Sequence, residues 1–126
     1  MVRRQAAPRV IVIVGANRGI GYYMVKRLLE LGDSISVLDI ETDNLKELRE
    51  SYPDKLITIT ADAAKDEDIK NGVSETIKQF GKIDMAVHNA CLCPFESESK
   101  GAIESLAKCL DIKNQKYGIL SVKLCK

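Results

Sequence analysis

The sequence predicts an α/β fold, a doubly wound parallel sheet of about four strands with flanking helices. Three observations carry that expectation. An apolar β-branched run, Ile11-Val12-Ile13-Val14, feeds a glycine-rich turn, Gly15 to Gly21, that opens directly onto a helix-periodic segment. Short apolar runs and longer amphipathic segments then alternate along the chain, the order produced by right-handed crossovers in a parallel sheet. Gly32 is placed to stop one amphipathic segment in a left-handed turn, and Gly81 ends another.

Each element has its own justification. From Ile20 to Leu31, apolar residues at Ile20, Met24, Leu28 and Leu31 form a stripe for packing on a sheet, with Lys26, Arg27 and Glu30 elsewhere. Ser34–Asp39 reads as a second strand that ends on an acid. Thr42 or Asp43 is placed to cap a helix through Leu45, Leu48 and Tyr52, closed by Pro53. Leu56–Thr60 is a third strand. A long helix from about Asp66 to Phe80 presents Ile69, Val73, Ile77 and Phe80 on one side, and Ile83–Asn89 is a fourth strand. Residues 1–9 form a basic, flexible lead-in without the apolar stretch of a secretory signal, although their composition is also compatible with the start of an organelle transit peptide. Residues 10–126 form the single domain.

Composition excludes several functions. With 19 basic and 18 acidic residues, no bulk field favours nucleic acid or an anionic membrane, and the absence of Trp argues against a base-stacking surface. No apolar run approaches the ~20 residues of a membrane span. The four cysteines, Cys91, Cys93, Cys109 and Cys125, read as reduced thiols in a cytoplasmic protein. Cys91 and Cys93 lie near His88, the only histidine, but lack the paired spacing of a zinc site, so no metal is expected.

The chemistry is concentrated in the glycine turn. Glycines let backbone N–H groups approach an anion, and the following helix N-terminus adds partial positive charge. The spacing is G-x-x-x-G-x-G rather than the common dinucleotide fingerprint, and a strand–helix turn can require glycine for geometry alone. Asp39, however, follows at roughly the ~20-residue interval at which an acid meets the ribose hydroxyls of NAD. The alternative for Asp39 is an acid that merely begins the next loop.

Gly15-Ala16-Asn17-Arg18-Gly19-Ile20-Gly21 resembles the TGxxxGIG signature of the short-chain dehydrogenases/reductases, with Val14 in place of the usual Thr. His88-Asn89-Ala90-Cys91 resembles their NNAG motif, with His for the first Asn and Cys for the Gly. The similarity runs from Val10 onward and implies a Rossmann-like, NAD(P)-dependent oxidoreductase acting on alcohols or carbonyls. It further implies that Gly15, Gly19 and Gly21 frame a pyrophosphate, with Ile20 giving a backbone N–H. By the same resemblance Asp39 holds the adenosine ribose, Asp62 the adenine, and Asn89 and Ala90 the adenosine side, with Asn17 and Ala63 completing the cofactor-binding set. Arg18 occupies a position associated with NADP in this family, yet Asp39 and Glu41 oppose a 2′-phosphate. NAD is therefore the preferred cofactor and NADP the alternative.

The resemblance implies less about catalysis. Leu110-Asp111-Ile112-Lys113-Asn114 resembles the helix that carries a catalytic Asn, at Asn114 or, one residue out of register, Lys113. The family's catalytic Ser and Tyr-x-x-x-Lys have no counterpart before Lys126. Tyr22 and Lys26 match that spacing, but inside the first helix; Tyr117 has no such partner. Leu120–Cys125 reads as a helix stopped midway, before any fifth strand. Two readings follow: the cofactor half of an oxidoreductase, or a complete non-catalytic dinucleotide-binding or partner-binding module. Without a fifth strand, Met85-Ala86-Val87 would form an open apolar edge, so self-association is expected.

Overall fold

A computed structural model describes residues 8–89 and the backbone of residues 118–121. Five parallel strands are ordered β3-β2-β1-β4-β5. They are β1 (Val10–Val14), β2 (Ser34–Asp39), β3 (Leu56–Thr60), β4 (Met85–His88) and β5 (Gly118–Ser121). Helix α1 (Gly19–Glu30) joins β1 to β2, and α3 (Asp66–Phe80) joins β3 to β4. Between β2 and β3 a 3-10 turn (Asp43–Leu45) runs into the short α2 (Lys46–Ser51).

Period-two alternation sends the strand side chains into two cores. Ile11 and Ile13 of β1, with Ile35 and Val37 of β2, pack against Val25 and Leu29 of α1 and Leu45 and Leu48 near α2. Val12, Val14 and Leu38 point the other way, toward Ile69 and Val73 of α3. All of β1 is buried, as expected of a parallel strand covered on both faces. This explains why the run reads as uninterrupted apolar sequence rather than as an alternation.

The stripe expected on α1 is shifted. Its buried residues are Gly21, Val25 and Leu29, whereas Ile20 is 54% and Leu31 37% exposed. Met24 and Leu28 flank the core rather than enter it. Helical spacing is the same in both registers, and close approach of the glycine turn at Gly21 selects the observed one. Gly32 and Gly81 do take positive φ, +95° and +83°. Neither Thr42 nor Asp43 caps the helix that follows through its side chain; the Asp43 carboxylate instead accepts a hydrogen bond from Asn17 Nδ2 at 3.0 Å.

The fourth strand is not an edge. β5 pairs in parallel with β4, Met85 opposite Gly118 and His88 opposite Ser121. This corrects the expectations that no fifth strand would form and that Leu120 and Ser121 would open a helix, the rest of that segment lying outside the described residues, and it removes the open edge at β4 on which self-association was argued. The local sequence Gly118-Ile119-Leu120-Ser121 has no preference strong enough to fix its state, and the backbone groups of β4 decide it. The cysteines Cys91, Cys93, Cys109 and Cys125 lie outside the described residues, as do Ala90, Lys113, Asn114 and Tyr117. Among the described residues no group of three or more His, Cys, Asp or Glu is arranged to hold a metal ion, and no helix is long and apolar enough to cross a membrane.

Candidate functional site

A cleft of about 620 Å³ opens at the carboxyl ends of the strands. The glycine turn after β1, Asp39 to Glu41 after β2, Ala61 to Ala63 after β3 and Asn89 after β4 all line it. It lies where the strand order reverses about β1, the place at which open parallel sheets bind ligands.

The turn is built for close approach. Gly15 and Gly19 adopt φ +86° and +65°, which an L side chain rarely takes. At Gly21 the requirement is space: a Cβ would lie 2.3 Å from Gly15 O and 2.8 Å from Ala16 Cα, both main-chain atoms. Helix α1 therefore begins directly against the turn. Its N-terminus has no side-chain cap and no acid in its first turn. Helix α3, by contrast, carries Asp66, Glu67 and Asp68 there. The positive pole of α3 is offset by its own carboxylates, whereas the first turn of α1 holds no acid to offset its own.

Asp39 holds the turn in shape. Its Oδ2 accepts from the backbone N–H groups of Ala16 and Asn17, both at 3.0 Å, and its Oδ1 accepts from Glu41 N at 3.2 Å. A negative charge is thus fixed at the rim, and the first amides of the turn are satisfied before any ligand arrives. Asn17 is an internal brace, only 3% exposed. Besides donating to Asp43, its Oδ1 accepts from Asn44 N and its carbonyl from Asn44 Nδ2, each at 3.0 Å. The turn after β1 and the turn after β2 are thereby one unit.

On the far wall, the Asp62 N–H donates to Asp68 Oδ2 at 2.8 Å, and Asp62 Oδ1 accepts from Ala64 N at 2.9 Å. Asn89 ties β4 to the turn: its N–H donates to Val14 O at 2.8 Å and its Nδ2 to Gly15 O at 3.0 Å. Asn89 Oδ1 is buried and has no hydrogen-bond partner among the described residues. Arg18 leans across the rim to Glu41, Nη2 to Oε2 at 2.8 Å. Ile20 and Ile40, 54% and 57% exposed, present apolar surface to the same cleft.

Most residues anticipated from the sequence meet here: Gly15, Asn17, Arg18, Gly19, Ile20, Asp39, Asp62, Ala63 and Asn89 line the cleft, and Gly21 lies behind it. Ala90 and Asn114 (or Lys113) fall outside the described residues. Tyr22 packs against the core on the α1 side and borders a separate hollow with Asp43, Asn44 and Glu47. The Tyr22–Lys26 spacing is therefore not a feature of this cleft. Sequence reasoning missed Ile40 and the Asp43–Asn44 brace. An exposed Ile directly after the strand-ending acid was the available signal for Ile40; nothing local marks the brace.

An uncapped helix N-terminus and a fixed acid, brought together at the ends of parallel strands, define a nucleotide-binding α/β protein. The chain belongs to the short chain dehydrogenase family, which it matches over residues 9–116; members of that family are NAD(P)-dependent oxidoreductases of alcohols and carbonyls. It is 35% identical over 86 residues to 2-(R)-hydroxypropyl-CoM dehydrogenase of Xanthobacter autotrophicus, covering 65% of this chain and 34% of that protein. L-fucose dehydrogenase of Bos taurus is 31% identical over 84 residues, covering 67% and 31%. A short-chain dehydrogenase/reductase from Saccharomyces cerevisiae superposes with a TM-score of 0.76 at 26% identity, covering 90% of this chain and 53% of that one. The chain thus spans about a third of the length of the curated relatives it matches.

Proposed function

We propose that this chain forms the dinucleotide-binding part of an oxidoreductase acting on alcohols or carbonyls, with NAD as the preferred cofactor. The observation that carries this reading is the pairing, within one cleft, of an uncapped α1 N-terminus with the Asp39 carboxylate. The residues fit the cofactor. Gly21 leaves the space a phosphate-bearing turn needs, Asn89 Oδ1 offers an unused buried acceptor, and Ile20 and Ile40 supply apolar walls for a flat base. The α1 N-terminus and the glycine turn would hold the pyrophosphate, and Asp39, through Oδ1, the adenosine ribose diol. Asp62 and Ala63 would border the adenine, and Asn89 would fix the position of the turn. When bound, the cofactor supplies hydride exchange at its nicotinamide ring; this chain's own residues bind it and orient it.

Preference for NAD rests on charge. Asp39 and Glu41 both line the cleft after β2; a ribose held by Asp39 would bring a 2′-phosphate's further negative charge against them. Titration calorimetry with both dinucleotides tests the reading. NAD should bind the more tightly, and Asp39→Ala should erode the difference. Equal or tighter binding of NADP by the unaltered chain overturns the assignment.

A further inference from the structure

We propose that Asn44 and Asp43, neither of which lines the cleft, are positioning residues: they hold Asn17, and through it the glycine turn, in the shape that receives a pyrophosphate. The proposal rests on the reading of the cleft as a dinucleotide site and extends that site to residues behind its wall.

Asn17 stands midway between Gly15 and Gly19, the two residues of the turn at positive φ. Glycine is as free in other conformations, so these two positions do not by themselves fix the shape of the turn. Asn17 does, and it is held from outside the turn. It is buried, and each of its four polar atoms is engaged by the segment 39–44. Its N–H donates to Asp39 Oδ2 and its Nδ2 to Asp43 Oδ1, both at 3.0 Å. Its Oδ1 accepts from Asn44 N and its carbonyl oxygen from Asn44 Nδ2, again at 3.0 Å. Just beyond, Gly19, Ile20 and Gly21 open α1, and their N–H groups precede its first bond, from Tyr22 N to Arg18 O. These are the donors available to an anion, and their direction follows from the placement of Asn17. The bonding has a local cost. Asp43 stands where an acid could cap the helix that follows, yet α2 begins without a side-chain cap. The carboxylate that could steady α2 is committed to the glycine turn instead. A ligand therefore meets a turn already in shape, rather than selecting one conformation of several at a loss of affinity.

The experiment compares ADP with adenosine, probes that differ by the pyrophosphate. Affinities are measured by NMR titration for the 126-residue chain, Asn44→Ala, Asp43→Ala and Asp43→Asn, with circular dichroism confirming the fold of each. Asn44→Ala keeps its backbone N–H bond to Asn17 Oδ1 and loses only the Nδ2 donor. It should lower the ratio of ADP to adenosine affinity about tenfold, the scale of one lost hydrogen bond. Asp43→Ala should lower the ratio by a similar factor, whereas Asp43→Asn, whose Oδ1 can still accept from Asn17 Nδ2, should change it less than about twofold. If Asp43 acted through its charge, both of its variants would instead strengthen ADP binding. A ratio that is unchanged in Asn44→Ala and Asp43→Ala, or that moves alike in Asp43→Ala and Asp43→Asn, overturns the proposal and leaves the cleft assignment intact. So does an equal loss of ADP and adenosine affinity, which general loosening of the fold would produce. Failure of the unaltered chain to bind ADP overturns both.

Discussion

Gly21 shows how much one missing side chain can matter. Its nearest neighbours, Gly15 O and Ala16 Cα, are main-chain atoms that cannot swing aside as a side chain could. Gly21→Ala should therefore lower stability by about 1–3 kcal/mol, the usual cost of overpacking, and abolish detectable NAD binding; urea unfolding and calorimetry measure the two effects separately. Gly81→Ala is the contrast. Open space surrounds that position, and only its φ of +83° opposes a side chain. It should cost about 1–2 kcal/mol and leave NAD affinity unchanged. Asp39 is constrained differently, because it serves the turn as well as the ligand. Asp39→Ala strips three backbone N–H groups, those of Ala16, Asn17 and Glu41, of their acceptor, so it should also destabilise the free chain, by about 1–3 kcal/mol.

Packing between elements is most exacting where α3 meets β2. A Cβ at Gly72 would lie 2.3 Å from Leu38 Cδ2, so the helix sits directly on the strand's side chains. One turn further on, the buried hydroxyls of Ser36 and Thr76 are 2.6 Å apart, and Thr76 Oγ1 also donates to Gly72 O at 2.7 Å. Thr76 has a single hydroxyl proton, so Ser36 must be the donor between them. Thr76→Val keeps the shape but leaves the Ser36 hydroxyl buried without its acceptor, at a cost of about 1–3 kcal/mol. Ser36→Ala should cost less, since Thr76 keeps its bond to Gly72. Combining the two should recover part of the Thr76→Val loss, and a double-mutant cycle of urea midpoints reads this directly.

Across the whole molecule, charge and ligand binding set how stability responds to conditions. Asp84 precedes β4, and its Oδ2 accepts from Val10 N at 2.8 Å and meets Lys82 Nζ at 3.0 Å, joining the start of β1 to the start of β4. Burial raises the pKa of its carboxyl, but the Val10 N–H, Lys82 and Arg9 outweigh that and hold it below its ordinary 3.8. A depressed carboxylate stabilises the fold at pH values above its unfolded pKa, and that stabilisation is lost as pH falls through the folded value. Asp84→Asn should therefore flatten the decline in melting temperature below about pH 4, and the difference should stay under ~1 kcal/mol because the pair is partly exposed. NAD at a hundred times its dissociation constant should add about 2.7 kcal/mol, read as a rise of several degrees in melting temperature.

The order of strands and helices, the glycine turn and the strand-ending acid were all legible in the sequence. Each rests on short-range physics: a β-branched run buried on both faces, helical periodicity, and glycine at positive φ. What local pattern left open was settled by contacts between residues distant along the chain. The register of α1 follows from the approach of Gly21 to Gly15, and the strand at Gly118–Ser121 from backbone groups that β4 presents. Asp43 reads as a helix cap yet serves Asn17, 26 residues away, because a side-chain amide there competes for the same carboxylate. Arg18 and Glu41 lie 23 positions apart, and only the folding of β1 and β2 side by side makes them an ion pair. Local sequence settles what each segment can become; which of its polar groups find one another depends on the distances that folding closes.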